Sequence, residues 1–216
     1  MNEDPRVAAQ RAVEKMRARI RTLDADGLDL LFREARSHNA WQDKPVADDM
    51  LRALYDIAKM GPTSSNCCPA RFVFLRSAES KERLRPALAP ANLEKTMTAP
   101  VVAIIGNDSA YWRQFDRLQP DIPAPLLARH RDDARYNADT AFRNGSLQGA
   151  YLVIAARALG LDTGTISGFD NAKVDAAFFA GTTVRSNFIC NLGYGDASRV
   201  HRKWDRLAFE DACEVL

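Results

Sequence analysis

The chain has 216 residues and an ordinary globular composition, 46% hydrophobic and 27% charged, which excludes a collagen, a disordered tail and a small disulfide scaffold. Thirty Lys and Arg against 28 Asp and Glu give a net charge of +2, so neither a nucleic acid nor a membrane surface is expected as a partner. The longest apolar stretch, residues 149–156, is far shorter than the ~18 residues of a membrane span. With no secretory signal, no CxxC pair and no metal-binding motif, we expect a reducing, cytoplasmic setting and no metal.

The first predicted element is an amphipathic helix over the first twenty-odd residues, capped by Asp4 with Pro5 in its first turn. Two interpretations of this segment stay open, an arm that packs on a partner subunit and a solvated extension. A second helix is predicted after a cap at Asp26. We therefore predict an N-terminal helical arm over residues 1–26 and one domain over residues 27–216.

The next stretch alternates helices and strands. A helix is predicted from Ala47 to the stop signal Gly61-Pro62, with Leu51, Leu54, Ile57 and Ala58 on one face. Short helices are predicted over 78–88 and 92–97, and strands over 71–76 and 101–105. The second strand is a continuous apolar run, which is typical of a strand buried on both faces.

The second half of the chain contains the strongest helix pattern. Residues 107–131 carry three prolines and are predicted to be an irregular, mobile excursion over a site. A helix over 139–159 has a wide apolar stripe that includes Phe142, Leu147 and Tyr151, which favours a core helix. The remaining predictions are a tight segment over 164–168, a short helix from Asp170 to Phe179 and a strand over 186–192. Since strands are few, the pattern indicates one α+β domain, a small sheet wrapped by helices.

No P-loop, no GxGxxG after a strand and no GxSxG elbow occurs, so nucleotide hydrolysis, the usual dinucleotide fold and triad hydrolysis lose support. Three polar blocks remain, at residues 36–39, 61–71 and 199–206. Arginine forks and hydroxyls are the groups that hold a phosphate, and the Ser/Thr/Asn-rich second block offers hydrogen bonds to a flat polar ring. Taken alone, each block has a plainer interpretation: Arg36 as a surface charge, residues 63–66 as turn chemistry and the tail as a solvated basic end.

Taken in order, the motifs resemble those of the nitroreductase family of FMN-dependent oxidoreductases. They are Arg36-Ser37 before Trp41 and Pro45-Val46, then Pro62-Thr63-Ser64-Ser65-Asn66, Gly168-Phe169-Asp170, Leu192-Gly193-Tyr194-Gly195 and Arg206-Leu207. The Gly61–Cys67 and Ser167–Asp170 segments are similar to the malonic semialdehyde reductase (3-hydroxypropionate dehydrogenase) branch, which serves bacterial pyrimidine degradation. The resemblance implies an α+β fold with a small mixed central sheet wrapped by helices. It also implies a homodimer with FMN at the subunit interface and ping-pong hydride transfer from NADH or NADPH through flavin N5.

The resemblance also assigns roles to residues. FMN-binding positions would be Arg36, Ser37, Asn39, Pro62, Thr63, Ser64, Asn66, Ser167, Gly168 and Arg206. Among these, Arg36, Ser37 and Arg206 would hold the phosphate end, Asn66 the ring, and Ser167 and Gly168 would lie near N5. No side chain is assigned a catalytic role because the cofactor carries the hydride. Malonic semialdehyde carries a carboxylate, and Arg71 and Arg143 are the candidate cations for it.

The sequence departs from the general family pattern at several positions. Ala35 and Asn39 stand where a basic residue is common, Cys68-Pro69-Ala70 where Gln-Pro-Trp is common, and Ser167 where Glu is common. These departures favour a small aldehyde over bulky nitroaromatics. The alternatives are a generalist nitro or quinone reductase, a flavin-binding module without significant turnover, and a structural protein without cofactor. Cys67 and Cys68 are either flavin-adjacent thiols or small packing residues.

Overall fold

The computed structural model describes residues 4–216, which divide into a unit ending at Ala35 and a unit over Arg36–Leu216. In the first unit, helix α1 (Pro5–Arg19) is capped by the Asp4 carboxylate, as predicted. Helix α2 (Ala25–Leu28) continues as a π-helical turn over Asp29–Arg33. Its cap is Asp24 rather than the predicted Asp26, because the Asp24 carboxylate accepts a hydrogen bond from the Gly27 amide at 2.8 Å.

The second unit contains the sheet and the remaining helices. Its strands are β1 (Ala70–Leu75), β2 (Val101–Asp108), β3 (Asp162–Ile166) and β4 (Val184–Gly193). Its helices are α3 (Asp48–Ala58), α4 (Ala78–Leu84), α5 (Pro90–Met97), α6 (Phe115–Leu118), α7 (Ala124–Asp132), α8 (Ala134–Ala158), α9 (Asn171–Phe178) and α10 (Phe209–Ala212). Between residues 4 and 216, no helix is long and apolar enough to cross a membrane.

The strands form one sheet in the order β1-β2-β4-β3, and all three strand pairs are antiparallel. The α+β class is therefore confirmed, and within the described part of the chain parallel pairing is confined to an isolated bridge between Ser37 and Thr163. The prediction of a tight segment over 164–168 is wrong, because β3 occupies most of it. Gly164 lies inside the strand. A side chain there would not fit, because its Cβ would come within 2.4 Å of the His38 carbonyl oxygen.

Strand β2 is the centre of the core, and it is buried on both faces as predicted. Val101, Ala103 and Ile105 pack in the cluster formed with α3 and α8. Val102 and Ile104 pack on the other face, in the cluster formed with α4 and α9. The sheet therefore lies between two helical layers.

Helix α3 turns Leu51, Leu54 and Ala58 inward, whereas Ile57 is exposed, contrary to prediction. Ile57 immediately precedes Ala58 and so lies about 100° around the helix from it. The buried face of α3 is therefore narrower than its apolar sequence pattern indicates, because it does not include Ile57.

Helix α8 begins after its cap Asp133, earlier than the predicted start at Asp139. The predicted core stripe is wrong, because Phe142 and Leu147 are exposed and Gly149 faces the sheet instead. The helix lies so close to the sheet that a Cβ on Gly149 would come within 2.5 Å of the Phe188 ring. Small residues of α8 therefore pack against the sheet, and its large apolar side chains lie on the face turned away from the sheet.

The prediction of an irregular excursion over 107–131 is also wrong. The segment folds into a 3₁₀ turn (Tyr111–Gln114), α6 and α7, and Pro123 caps α7 instead of breaking it. Tyr111 and Phe115 are buried, and the Tyr111 hydroxyl lies 2.7 Å from His130 Nδ1. Burial lowers the pKa of His130, with the Arg129 charge adding to the effect, so the cluster is packed around a neutral imidazole.

Candidate functional site

The first polar block lies against the beginning of β3. Ser37 forms the bridge with Thr163, and the His38 amide donates to the Thr163 carbonyl oxygen at 2.9 Å. The Ser37 side chain is exposed and Arg36 is half-buried, so both remain available to a ligand. Asn39, in the turn that follows, is also half-buried.

His38 and Asp162 hold this block in place; the sequence placed His38 in the polar block but gave no sign of its pairing with Asp162. The imidazole is buried, and its Nε2 atom lies 3.2 Å from an Asp162 carboxylate oxygen. The other Asp162 oxygen accepts from the Gly195 amide at 2.7 Å, and a Cβ on Gly195 would come within 1.8 Å of His38 Nδ1. A histidine directly after Arg36-Ser37 was the only available signal, and its partner is distant in sequence.

The basic tail meets the first block through Arg36, whose guanidinium donates to the His201 carbonyl oxygen. Arg206 is exposed, and its guanidinium donates to the backbone carbonyls of Trp204 and Asp205 at 2.8 and 3.1 Å. The structure thus brings the start of the tail to Arg36, while the Arg206 side chain is turned to its own backbone.

Ser167 and Gly168 follow the other end of β3, and both are exposed. The Gly168 carbonyl accepts from the Ala89 amide at 3.1 Å and from Asn92 Nδ2 at 2.9 Å. A side chain on Gly168 would collide with that Asn92 amide, since its Cβ would lie 2.5 Å away. A larger residue here would therefore require the Asn92 side chain to move and would disturb its hydrogen bond to the Gly168 carbonyl.

The outer edge of β3 connects the two groups. Thr163 and Ser167 are four residues apart, which corresponds to about 13 Å of extended chain. Because the Thr163 carbonyl points outward to His38, the backbone N–H and C=O of Thr165 point to the same side. The edge therefore presents backbone donors and acceptors between a cationic end at Arg36 and a neutral end at Ser167.

The loop over 62–69 precedes β1 and has an unusual backbone. Ser65, Asn66 and Cys68 have φ values of 51°, 49° and 40°, a left-handed region that is costly for residues other than glycine. The Ser64 amide donates to Asn144 Oδ1 at 2.8 Å, and Asn66 Nδ2 donates to the Leu118 carbonyl at 2.8 Å. These bonds fix the loop on α8 and α6.

The exposed residues of this loop are those that sequence reasoning selected. Pro62, Ser64 and Asn66 are exposed, and Thr63 is half-buried, with its hydroxyl oxygen 3.2 Å from the Cys68 amide. The neighbouring Cys67 is buried against Tyr111 and Phe115, and burial raises the pKa of its thiol to about 12. Cys67 is therefore a protonated packing residue at neutral pH.

A cavity of about 770 Å³ opens beside this loop. Its lining comes from the end of α3, the loop, β1, the 114–118 segment and α8: Tyr55, Lys59, Met60, Gly61, Pro62, Asn66, Cys68, Ala70, Arg71, Phe72, Phe74, Gln114, Arg117, Leu118 and Gln148. Of the two predicted substrate cations, Arg71 lines it and Arg143 does not, because Arg143 is exposed elsewhere on α8.

The cavity and the β3 edge lie at opposite sides of the sheet. β1 and β3 are the two edge strands, three inter-strand steps or about 14 Å apart. The registers also place Ala70 six residues from the level of Thr163, about 20 Å along the strands. In the single chain, the Ala70 end of β1 and the Thr163 end of β3 therefore lie far apart.

These features define an α+β protein with an exposed polar sheet edge and a separate polar loop. The sequence model of the nitroreductase family matches residues 32–194, three quarters of the chain, so the protein belongs to the nitroreductase family.

Relatives agree with that placement. A Cupriavidus pinatubonensis protein named as an NADH dehydrogenase/NAD(P)H nitroreductase is 56% identical over 189 residues, 87% of this chain and 96% of the relative. HadB of Ralstonia pickettii, which has the same type of name, is 57% identical with the same coverage. A nitroreductase of Exiguobacterium sibiricum solved in complex with FMN superimposes with a TM-score of 0.74 at 19% identity, over 90% of this chain and 99% of that one.

Proposed function

We propose that this protein is an FMN-dependent NAD(P)H oxidoreductase that reduces malonic semialdehyde to 3-hydroxypropionate, a cytoplasmic step of pyrimidine degradation. The observation that carries the proposal is the outer edge of β3. It offers a cation and a hydroxyl at Arg36 and Ser37, and backbone hydrogen-bonding groups from Thr165 to Gly168. These donors suit FMN, whose phosphate is anionic and whose ring is flat and polar.

The β3 edge and the 62–69 loop lie at opposite sides of the sheet. This separation supports a homodimer in which each flavin lies between two chains. Arg36, Ser37 and Ser167 of one subunit would face the loop containing Asn66 from the other. Exposed apolar side chains give the second copy a surface to cover. They lie on α8 and in the tail: Phe142, Leu147, Tyr151, Trp204, Leu207, Phe209, Val215 and Leu216.

In this mechanism FMN, when bound, supplies the N5 atom for ping-pong hydride transfer from NADH or NADPH to the acceptor. Arg36 would neutralise the phosphate, and Arg206 would supply a second cation from the tail. Asn66 would orient the ring through its carboxamide, and the backbone at Ser167 and Gly168 would offer it hydrogen-bonding groups. The aldehyde oxygen gains negative charge as hydride arrives, so a hydrogen-bond donor there stabilises the transition state.

The cavity favours a small anionic acceptor. Among the residues that the structure describes, its lining includes Lys59, Arg71 and Arg117 but no Asp or Glu. Ala70 and Ser167 leave room where the family often has Trp and Glu, which suits an aldehyde that carries a carboxylate. A generalist nitro or quinone reductase is the second candidate, because the 56%-identical relative is named as a nitroreductase.

Steady-state kinetics separate the two candidates. We expect kcat/KM for malonic semialdehyde to exceed the values for p-benzoquinone and nitrobenzene at least tenfold, with NADH and NADPH each tested as donor. A higher kcat/KM for the quinone would favour the generalist reductase.

We also propose that residues 1–26 are an arm that FMN binding does not require. Deletion of the residues before Asp26 is expected to leave a yellow protein with its flavin content unchanged, because Arg36 and the β3 edge lie in the unit Arg36–Leu216. The flavin-to-protein ratio after gel filtration measures this. A colourless or aggregated product would instead place the arm in the dimer core.

A further inference from the structure

Three cations line the cavity beside the 62–69 loop, and two of them already have partners. Lys59 Nζ lies 2.5 Å from an Asp56 carboxylate oxygen, and Arg71 Nη2 lies 2.6 Å from one of Asp108. The Arg71 guanidinium also donates to the Cys68 and Ala70 carbonyls at 3.1 and 2.9 Å. The Arg71 guanidinium is therefore already paired with a carboxylate and hydrogen-bonded to the backbone at the start of β1.

Arg117 is the cavity cation without a carboxylate partner among residues 4–216. Its guanidinium has one described hydrogen bond, a long one of 3.4 Å to the neutral side-chain oxygen of Gln114. The side chain is exposed on α6, and Gln114 lines the same cavity. A planar fork with unused donors is the group best suited to bind a carboxylate.

The position of Arg117 relative to the loop is fixed by its neighbour. The Leu118 carbonyl accepts the hydrogen bond from Asn66 Nδ2, so α6 and the loop are linked directly. Phe115, two residues before Arg117, is buried in the aromatic cluster with Tyr111 and His130. Arg117 therefore extends from a rigid element into the cavity, beside the residue proposed to contact the flavin ring.

We propose that Arg117 is the specificity-determining residue of the acceptor site and binds the carboxylate of the small acceptor. The inference rests on the proposed function, since it places the acceptor next to a flavin bound across the dimer. It replaces both cations selected from the sequence, because Arg71 is neutralised by Asp108 and Arg143 does not line the cavity. A phosphate of FMN or of the nicotinamide donor is the other anion that this fork could bind.

The test is binding of 3-hydroxypropionate to the FMN-loaded protein, measured by isothermal titration calorimetry. A charge-assisted hydrogen-bonded pair contributes enough that Arg117→Gln is expected to raise the Kd about 10- to 100-fold, with Arg117→Lys intermediate. The neutral analogue 1,3-propanediol is expected to bind the wild type and the variant equally. Arg85→Gln, which removes an exposed arginine that pairs with Glu82 and does not line the cavity, is the matched control and is expected to match the wild type.

Two further measurements separate the possible anions. The Kd of the apo-protein for FMN and the KM values for NADH and NADPH are expected to be unchanged in Arg117→Gln. An unchanged Kd for 3-hydroxypropionate, or a loss confined to FMN or NADPH, would overturn the assignment. Calorimetry needs no turnover, so Arg117-dependent binding without reduction of malonic semialdehyde would contradict the proposed function and leave the carboxylate site standing.

Discussion

Replacement of Arg36 by alanine is expected to raise the Kd for FMN about 10- to 100-fold. The guanidinium is the half-buried cation at the beginning of the β3 edge, next to the exposed hydroxyl of Ser37. A hydrogen bond to a charged group contributes roughly 1.5–3 kcal/mol, which corresponds to that range of affinity. Fluorescence titration of the apo-protein with FMN measures the effect directly.

Two variants serve as references for Arg36→Ala. Arg85→Ala removes an exposed arginine that pairs with Glu82, away from the β3 edge and α8, and is expected to bind FMN like the wild type. Arg206→Ala is expected to weaken FMN retention, and unchanged flavin content in it would remove Arg206 from the phosphate site. Wild-type affinity in Arg36→Ala would mean that the phosphate lies elsewhere than at the start of β3.

The double substitution Phe142→Asp and Leu147→Asp is expected to convert the protein to a monomer that releases FMN. Both side chains are exposed apolar groups on α8, 59% and 46% accessible in the single chain. Two carboxylates at a buried interface each cost several kcal/mol of desolvation, which exceeds what an interface can absorb without partners for them. Light scattering after gel filtration gives the mass, and the visible spectrum of the same peak gives the flavin content.

Glu79→Ala, at an exposed position of α4 outside the proposed interface, is the control and is expected to remain dimeric and yellow. Dimers that persist in the double variant at micromolar concentration would place the interface away from this face of α8. A monomer that retains FMN with full affinity would show that one chain completes the site, against the separation of β1 and β3.

The local sequence pattern correctly predicted those elements whose signal lies within a few consecutive residues. The apolar run of β2 and the Asp170 cap before α9 are examples, and both are confirmed. Two of the failures share a cause, which is glycine used for close approach. Gly164 made the β3 segment look like a turn in the sequence. Gly149 allows α8 to pack on the sheet through the helix face that carries small residues.

For the site, the sequence predicted residues but not their pairing. The resemblance pointed to Arg36, Ser37 and Asn66, and the structure places them at exposed or half-buried positions. It did not point to Arg117, because the neutralisation of Arg71 by Asp108 is a tertiary contact between neighbouring strands. The contact between His38 and Asp162 could not be predicted either, because the two residues are distant in sequence and meet only in the folded chain.

The central claim is that the protein binds FMN and passes hydride from a nicotinamide through it. The measurement that tests it most directly is the absorption spectrum of the purified protein under nitrogen, before and after addition of NADH or NADPH. We predict the two visible bands of oxidised flavin before addition and their bleaching afterwards, with recovery when malonic semialdehyde is added. A protein that stays colourless after incubation with FMN, or a flavin spectrum that neither nicotinamide bleaches, would contradict the account.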